Sequence, residues 1–211
     1  MAFGTGRPRE GYHHGNLREA MVEAALNMIR DRGPGGFSFA EVARAVGVSG
    51  AAPYRHFRDR NALVAEIARQ GFVTLEADLA RAWNDGKPSA AAGMQSCGRA
   101  YLAFARREPA SYAAMFQPGF PIEDVAELAA ASDRAFAVIR RAADRVTATA
   151  IGARKPPALM VALHVWSLAH GIASLYIGDP SGTRRKLPMT PEDLLEAGLL
   201  IYLQSLGVPT S

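Results

Sequence analysis

The sequence predicts an all-α fold of about nine helices in two unequal parts, and three observations predict it. Apolar residues recur at spacings of three and four along most of the chain, the period that gathers them on one face of a helix. Helix-start residues stand ahead of several of these runs: Asn16, Ser38, Ser49 and Thr190. No segment alternates as a half-buried strand does, and no internal repeat appears.

With 211 residues, 49% of them apolar and 21% charged, the composition is that of a folded globular protein rather than a disordered chain or a rod. That length buries a core without disulfides or metal. Cys97 is the only cysteine, which excludes an intramolecular disulfide and a thiolate zinc site and makes a reducing cytoplasm the expected compartment. The thiol is expected to be a buried bystander rather than an oxidant sensor. No membrane is expected as a partner, because His164 and His170 interrupt the most apolar stretch, Leu159 to Ile177, and the N-terminus has no apolar signal core.

Residues 1–15, rich in Gly, Arg, Pro and His, read as a flexible basic arm. A first helix follows Asn16 with Leu17, Met21, Ala24, Ala25 and Met28 on one face, and stops at the Gly-Pro-Gly-Gly run 33–36. Ser38 and Glu41 have capping-box spacing and start a second helix at Phe39. Its apolar face, Phe39, Val42, Ala43 and Val46, ends at Gly47 after two turns. Ser49 is expected to cap a third short helix ending near Phe57. Three helices this short need one shared core.

From Asn61 the helices lengthen. Leu63, Ile67, Gly71, Leu75 and Leu79 mark one running to Trp83, and Met94, Cys97, Tyr101 and Phe104 mark the next. Pro109 opens a short helix at the position where a missing N–H costs least. Val125, Leu128, Ser132, Phe136, Ile139 and Ala143 form a long one, broken by Lys155-Pro156-Pro157. Leu159 to Ile177 is the most apolar helix. The last, capped at Thr190 to Asp193, carries Leu195, Leu199, Tyr202 and Leu206 and stops at Gly207.

Charge is uneven. Residues 1–60 hold nine Lys+Arg against six Asp+Glu and three of the five histidines, whereas residues 61–211 hold fifteen against fourteen. A positive N-terminal end suits phosphate binding, although many soluble faces carry as much. Residues 39–57 have a helix-turn-helix layout: Ala43 allows close approach, Gly47 supplies the turn, and the second helix has a small or polar outer face. Geometry alone leaves an ordinary helical hairpin equally open.

The stretch FAEVARAVGVSGAAPYRHF at 39–57, with RDRNAL at 58–63, resembles the DNA-binding segment of TetR-family regulators. Tyr54, His56, Phe57, Arg60 and Leu63 carry most of the likeness, which extends over Leu17 to Leu63. WSLAHG at 166–171 is similar to a Trp-x-x-x-His-Gly segment in the C-terminal domains of one TetR subgroup. The resemblance implies a helix-turn-helix DNA-binding domain at 16–62 and a larger helical ligand-binding and dimerisation domain at 63–211. It implies that Ser38, Tyr54, His56 and Arg60 hold the DNA backbone, while Ser49, Gly50, Ala51 and Pro53 face the groove.

Hydroxyls and an arginine are good phosphate donors, and Phe57 is expected in the core instead. Arg7 and Arg9 of the arm would reach a neighbouring minor groove or remain solvated. Gly50 stands where many relatives carry a longer polar side chain, and Pro53 removes a backbone donor. Base readout is therefore sparse and the first turn irregular, which shifts sequence preference toward Arg55, the arm and DNA shape.

The expected partners are double-stranded operator DNA, a second copy of the chain and an unidentified small-molecule effector. A helix-turn-helix protein gains specificity as a two-fold dimer. Ser167, Gly171 and Ser174, with Leu195, Leu199 and Tyr202, are expected at a four-helix dimer seam unless they are internal core. Aromatic surface for a pocket comes from Trp83, Tyr101, Phe104, Tyr112, Phe116, Phe136, Trp166 and His170, of which Trp166 and His170 share a face at i and i+4.

The helix from Asn61 to Trp83 is the expected lever through which an effector releases DNA. Repression is the expected sense, with activation open. No catalytic, metal or cofactor motif is present: there is no Gly-rich phosphate loop, nucleophile elbow or His-Glu-x-x-His pair. An architectural or nonspecific nucleic-acid-binding protein is the alternative, and it would need denser positive charge.

Overall fold

The computed structural model describes residues 17–151, 155–177 and 188–209, and among these the chain is all helical, with no strand. Eight α-helices follow in order: α1 Leu17–Arg32, α2 Phe39–Ala45, α3 Arg60–Trp83, α4 Ala90–Arg107, α5 Pro109–Phe116, α6 Ala126–Thr149, α7 Ala158–Ile177 and α8 Pro191–Ser205. The arm with Arg7 and Arg9, and the cap expected at Asn16, lie outside the described residues.

Local chemistry explains most boundaries. Ser38 accepts the Glu41 N–H, and Glu41 in turn accepts from the Ser38 N–H, closing the capping box that starts α2. Asp59 and Ser89 cap α3 and α4 through the N–H groups of Ala62 and Ala92. Thr190 and Asp193 form a second capping box at α8.

One element departs from expectation. Between Ser49 and Phe57 the chain makes only a single 3-10 turn, Ala52–Arg55, with Ala51 rather than Ser49 at its N-cap and no side-chain cap bond. Pro53 cannot donate to a ladder, and its own carbonyl takes the N–H groups of both His56 and Phe57, which closes the turn after four residues. Eight α-helices plus this turn stand where about nine helices are expected.

The core is continuous. Met21, Val22, Ala25 and Ile29 of α1 meet Phe39, Val42 and Val46, with Phe37 and Phe57 from the connections. The expected stripes of α3 (Leu63, Ile67, Leu75, Leu79) and of α4 (Met94, Cys97, Tyr101, Phe104) are all buried. α3 is the spine: it packs against α4, α5 and α6 and also touches α1, while α1 in turn lies on α5. Cys97 is sealed between helices, and burial pushes its thiol up to about 12, which suits a bystander.

The segment Ala158–Tyr176 is long and apolar enough, by length and composition, to cross a membrane, contrary to the expectation from sequence. Two histidines weigh little against so many apolar neighbours. Here α7 packs one side against α4, α6 and α8, burying Val161, Ala162, Val165, Ala169, Ile172 and Ala173.

Candidate nucleic-acid interface and effector cleft

The turn after α2 is built by backbone bonds. The Gly47 N–H reaches the Arg44 carbonyl, the Val48 N–H reaches the Ala43 carbonyl at 3.0 Å, and Gly47 itself sits at φ +74°. That left-handed conformation strains any residue with a Cβ. The chain emerging from the turn presents Ser49, Gly50, Ala51, Tyr54, Arg55 and His56 to solvent, beside exposed Ser38. Tyr54 is 61% exposed, and its ring rests edge-on against Phe39 at 5.0 Å, so an anchored hydroxyl stands at the rim. Phe57 is buried, as expected, with the Arg18 guanidinium 4.9 Å over its ring.

Two expected DNA contacts are placed elsewhere. Pro53 is buried in the N-terminal core instead of facing a groove, because its apolar ring gains from burial and has no side-chain polar atom to offer DNA. Arg60 is folded back against the α1–α2 connection: it donates to the Pro34 carbonyl and to Asn61 Oδ1, and stacks over Phe37 at 5.2 Å. Its Nε is buried without a partner among the described residues. Arg58, to which the sequence assigns no role, is fully outward and, among the described residues, paired with adjacent Asp59 alone. No local pattern distinguishes these two arginines.

Farther along, an aromatic cluster assembles from four helices. Tyr101 of α4, Tyr112 and Phe116 of α5, Phe136 of α6, and Trp166 and His170 of α7 meet at ring separations of 4.6–6.4 Å. The Tyr101 and Tyr112 hydroxyls each lie 2.9 Å from His170 Nδ1. Burial lowers the His170 pKa, which favours neutral imidazole with Nδ1 as acceptor and the proton on Nε2. One lone pair accepts only one strong hydrogen bond, and Ser174 Oγ lies 3.5 Å from the Tyr112 hydroxyl as the second outlet.

Both phenols are pushed up, chiefly by burial, and stay protonated. Phe104 does not join this cluster. It is sealed in the core with the Arg107 guanidinium 5.9 Å over its ring. Tyr112, expected among the pocket aromatics, is central to it. Its partner His170 is 58 residues distant in the chain.

A cleft of about 500 Å³ reaches the edge of this cluster from the side of α1, within the size range of small-molecule sites. The end of α1 and the following Gly33-Pro34 form one wall, and Tyr112, Phe116, His170 and Ser174 form the other. A second cleft, about 660 Å³, opens beside the start of α3. Its Glu66 is engaged by Arg18, Arg69 and Gln70. Burial pushes the Glu66 pKa up, but the hydrogen bonds from these three side chains prevail and hold it at about 2.

The residues expected at the dimer seam divide between surface and core. Ser167 and Gly171 are exposed on α7, but Ser174 turns inward to Tyr112. Leu195 and Leu199 are fully buried against Gly98 of α4, where a Cβ would lie 2.9 Å from Leu195 and 3.2 Å from Leu199. Tyr202 is half-buried and stacks on His164 at 3.7 Å. The apolar residues that α7 and α8 leave outward are Leu159, Met160, Leu163, Leu175, Leu200 and Ile201. The most regular stripe of α8 thus serves the chain's own core, and the neighbouring side faces out.

Comparison with known proteins adds a family match. Residues 21–67 match the family described as bacterial regulatory proteins, tetR family, and residues 94–200 match the tetracyclin repressor-like C-terminal domain. No curated protein matches by sequence. Among solved structures, a protein of unknown function from Rhodococcus sp. RHA1 is 28% identical, with TM-score 0.78, covering 94% of this chain and all of that one. The regulator PfmR from Thermus thermophilus is 20% identical, with TM-score 0.67, over 87% of this chain and 97% of its own. AibR, solved with isovaleryl coenzyme A and operator DNA, is 18% identical, with TM-score 0.66, over 92% and 99%.

Proposed function

Because the chain belongs to the TetR family of bacterial regulatory proteins, we propose that it is a homodimeric repressor that leaves its operator when a small molecule binds. The observation carrying this reading is the outward row Ser49, Gly50, Ala51, Tyr54, Arg55 and His56 on a buried three-element N-terminal unit. Ser38, Tyr54 and His56 hold phosphates, and Ser49 to Ala51 approach the base edges closely because they carry little side chain. With so few base-reading groups, affinity rests on backbone contacts and DNA shape.

The larger domain supplies the effector site and the dimer. AibR shares this architecture and was captured with both an acyl coenzyme A and operator DNA, which supports a protein that answers to both kinds of partner. The outward side of α7 and α8 supports a two-fold seam that sets two reading units about 34–36 Å apart. The role is regulatory rather than enzymatic, and the place of action is the cytoplasm, where the operator lies.

Selection of bound fragments from random duplex DNA by the purified protein tests this reading. A recovered two-fold motif with half-sites about one helical turn apart is expected. Recovery of unenriched DNA, or of none, would overturn it.

A further inference from the structure

Arg32, the last residue of α1, stands between two partners. It lines the 500 Å³ cleft, yet its Nη1 donates to Glu41 Oε1 at 2.8 Å. The other carboxylate oxygen of Glu41, Oε2, accepts the Ser38 N–H at 2.7 Å and the Ser38 hydroxyl at 2.8 Å, completing the cap of α2. The reading turn hangs from α2 through the Val48-to-Ala43 backbone bond and the Phe39–Tyr54 ring contact. One guanidinium therefore joins the cleft to the segment that enters the groove.

Across the cleft, His170 Nδ1 is occupied by the tyrosines, and Nε2 has no protein partner among the described residues. In the neutral ring Nε2 carries a proton to donate. Tyr112 and His170 stack with their planes 30° apart, and Phe116 lies beside them, an apolar surface suited to a flat ring. Arg30 and Asp31 also line the cleft. With Arg32 the wall carries one net positive charge, the complement of a single carboxylate. The 660 Å³ cleft offers no equivalent, because its Glu66 already engages Arg18 and Arg69.

We propose that the cleft between α1 and the α5–α7 wall binds a small aryl carboxylate, and that the carboxylate draws Arg32 from Glu41 and so loosens α2 and the reading turn. This deepens the reading of the chain as an effector-released regulator and rests on it. A bidentate guanidinium–carboxylate contact in a partly enclosed cleft is stronger than the exposed Arg32–Glu41 pair, which solvent screens. Linkage then requires that whatever weakens the Arg32–Glu41 bond favour ligand and disfavour DNA.

The test uses the full chain with 2-naphthoate, its neutral analogue 2-naphthamide, and the operator recovered by selection. Calorimetry on the wild type should show naphthoate binding about ten-fold or more tighter than the amide, and Arg32→Gln should abolish that preference. Glu41→Gln keeps the cap, since Gln serves in a capping box, and removes only the charge that holds Arg32. This variant should bind naphthoate more tightly than the wild type and operator more weakly, and its remaining operator affinity should no longer respond to naphthoate.

Equal binding of acid and amide, or no binding of either, overturns the proposal. So does a Glu41→Gln protein that naphthoate still releases from operator by the wild-type factor. If the unliganded wild type selects no DNA, the regulator reading fails separately, and the acid-against-amide comparison still decides the site.

Discussion

Arg60 donates to the carbonyl of Pro34, 26 residues earlier in the chain, so the first residue of α3 holds the connection between α1 and α2. Its guanidinium also covers Phe37 at 5.2 Å. The contact fixes where Ser38 begins α2, and it withdraws from solvent an arginine that sequence alone assigns to phosphate.

Arg60→Met is therefore expected to act on stability and not on charge recognition. Loss of a charge-assisted bond should cost about 1.5–3 kcal/mol, read as a lower denaturant midpoint. Operator affinity should fall through loosening of the unit, while the slope of log affinity against log salt stays at the wild-type value. A reduced slope would return Arg60 to the phosphate contacts.

Arg55 gives the opposite pattern. It is exposed beside Tyr54 and His56, and the reading assigns it to DNA. Arg55→Ala should leave the denaturation midpoint within about 0.5 kcal/mol of wild type. The salt slope should fall by about 0.9 for each half-site, one counterion per lost phosphate contact. An unchanged slope would show that Arg55 meets no phosphate.

These two arginines show where sequence reasoning stops. The cap of α2 was legible because Ser38 and Glu41 interact across three residues, and the left-handed turn was legible because Gly47 tolerates what its neighbours do not. The fate of Arg60 was not, because it depends on where Pro34 comes to lie. Pro53 was read as an irregularity in a helix, but the regular helix itself is missing, since no residue between Gly50 and Arg55 supplies a side-chain cap. On α8, periodicity identified an apolar helix, yet only the close approach of Gly98 decides that Leu195 and Leu199 face inward and Leu200 and Ile201 outward. His170 was legible as a polar group on an apolar helix, and Tyr101 and Tyr112 as pocket aromatics, but the convergence of both hydroxyls on one ring nitrogen was not, because it depends on how α4, α5 and α7 meet.

The outward side of α7 and α8 yields a separable prediction. Ile201 is 68% exposed and Leu163 is 49% exposed, so Leu163→Glu/Ile201→Glu should fold with normal helicity, sediment as monomer at micromolar concentration and lose operator affinity. Leu195→Ala should do the reverse. Removing a fully buried leucine costs about 2–5 kcal/mol, which lowers the melting temperature while the folded fraction still dimerises. A charge-bearing double variant that remained dimeric would move the seam elsewhere.

Glu66 sets the acid limit of the fold. Its side chain is 9% exposed and binds Arg18 of α1 at 3.0 Å and Arg69 of α3 at 2.9 Å, so one carboxylate ties the N-terminal unit to the spine. Its pKa is held at about 2, below the ordinary value of 4.5. A group whose folded pKa is depressed stabilises the fold above its unfolded pKa and loses that contribution as pH falls toward the folded value. The stabilisation is thus full above about pH 5 and disappears between about pH 4.5 and pH 2, amounting to roughly 3 kcal/mol at about 1.36 kcal/mol for each pH unit. Glu41 titrates over the same window, so the wild-type curve alone does not isolate Glu66. Glu66→Gln should be less stable than wild type at about pH 7, because Arg18 and Arg69 lose their counter-charge, and the gap should narrow steadily as pH is lowered from about 5 to about 3. A gap independent of pH would mean that Glu66 contributes through packing rather than through its charge.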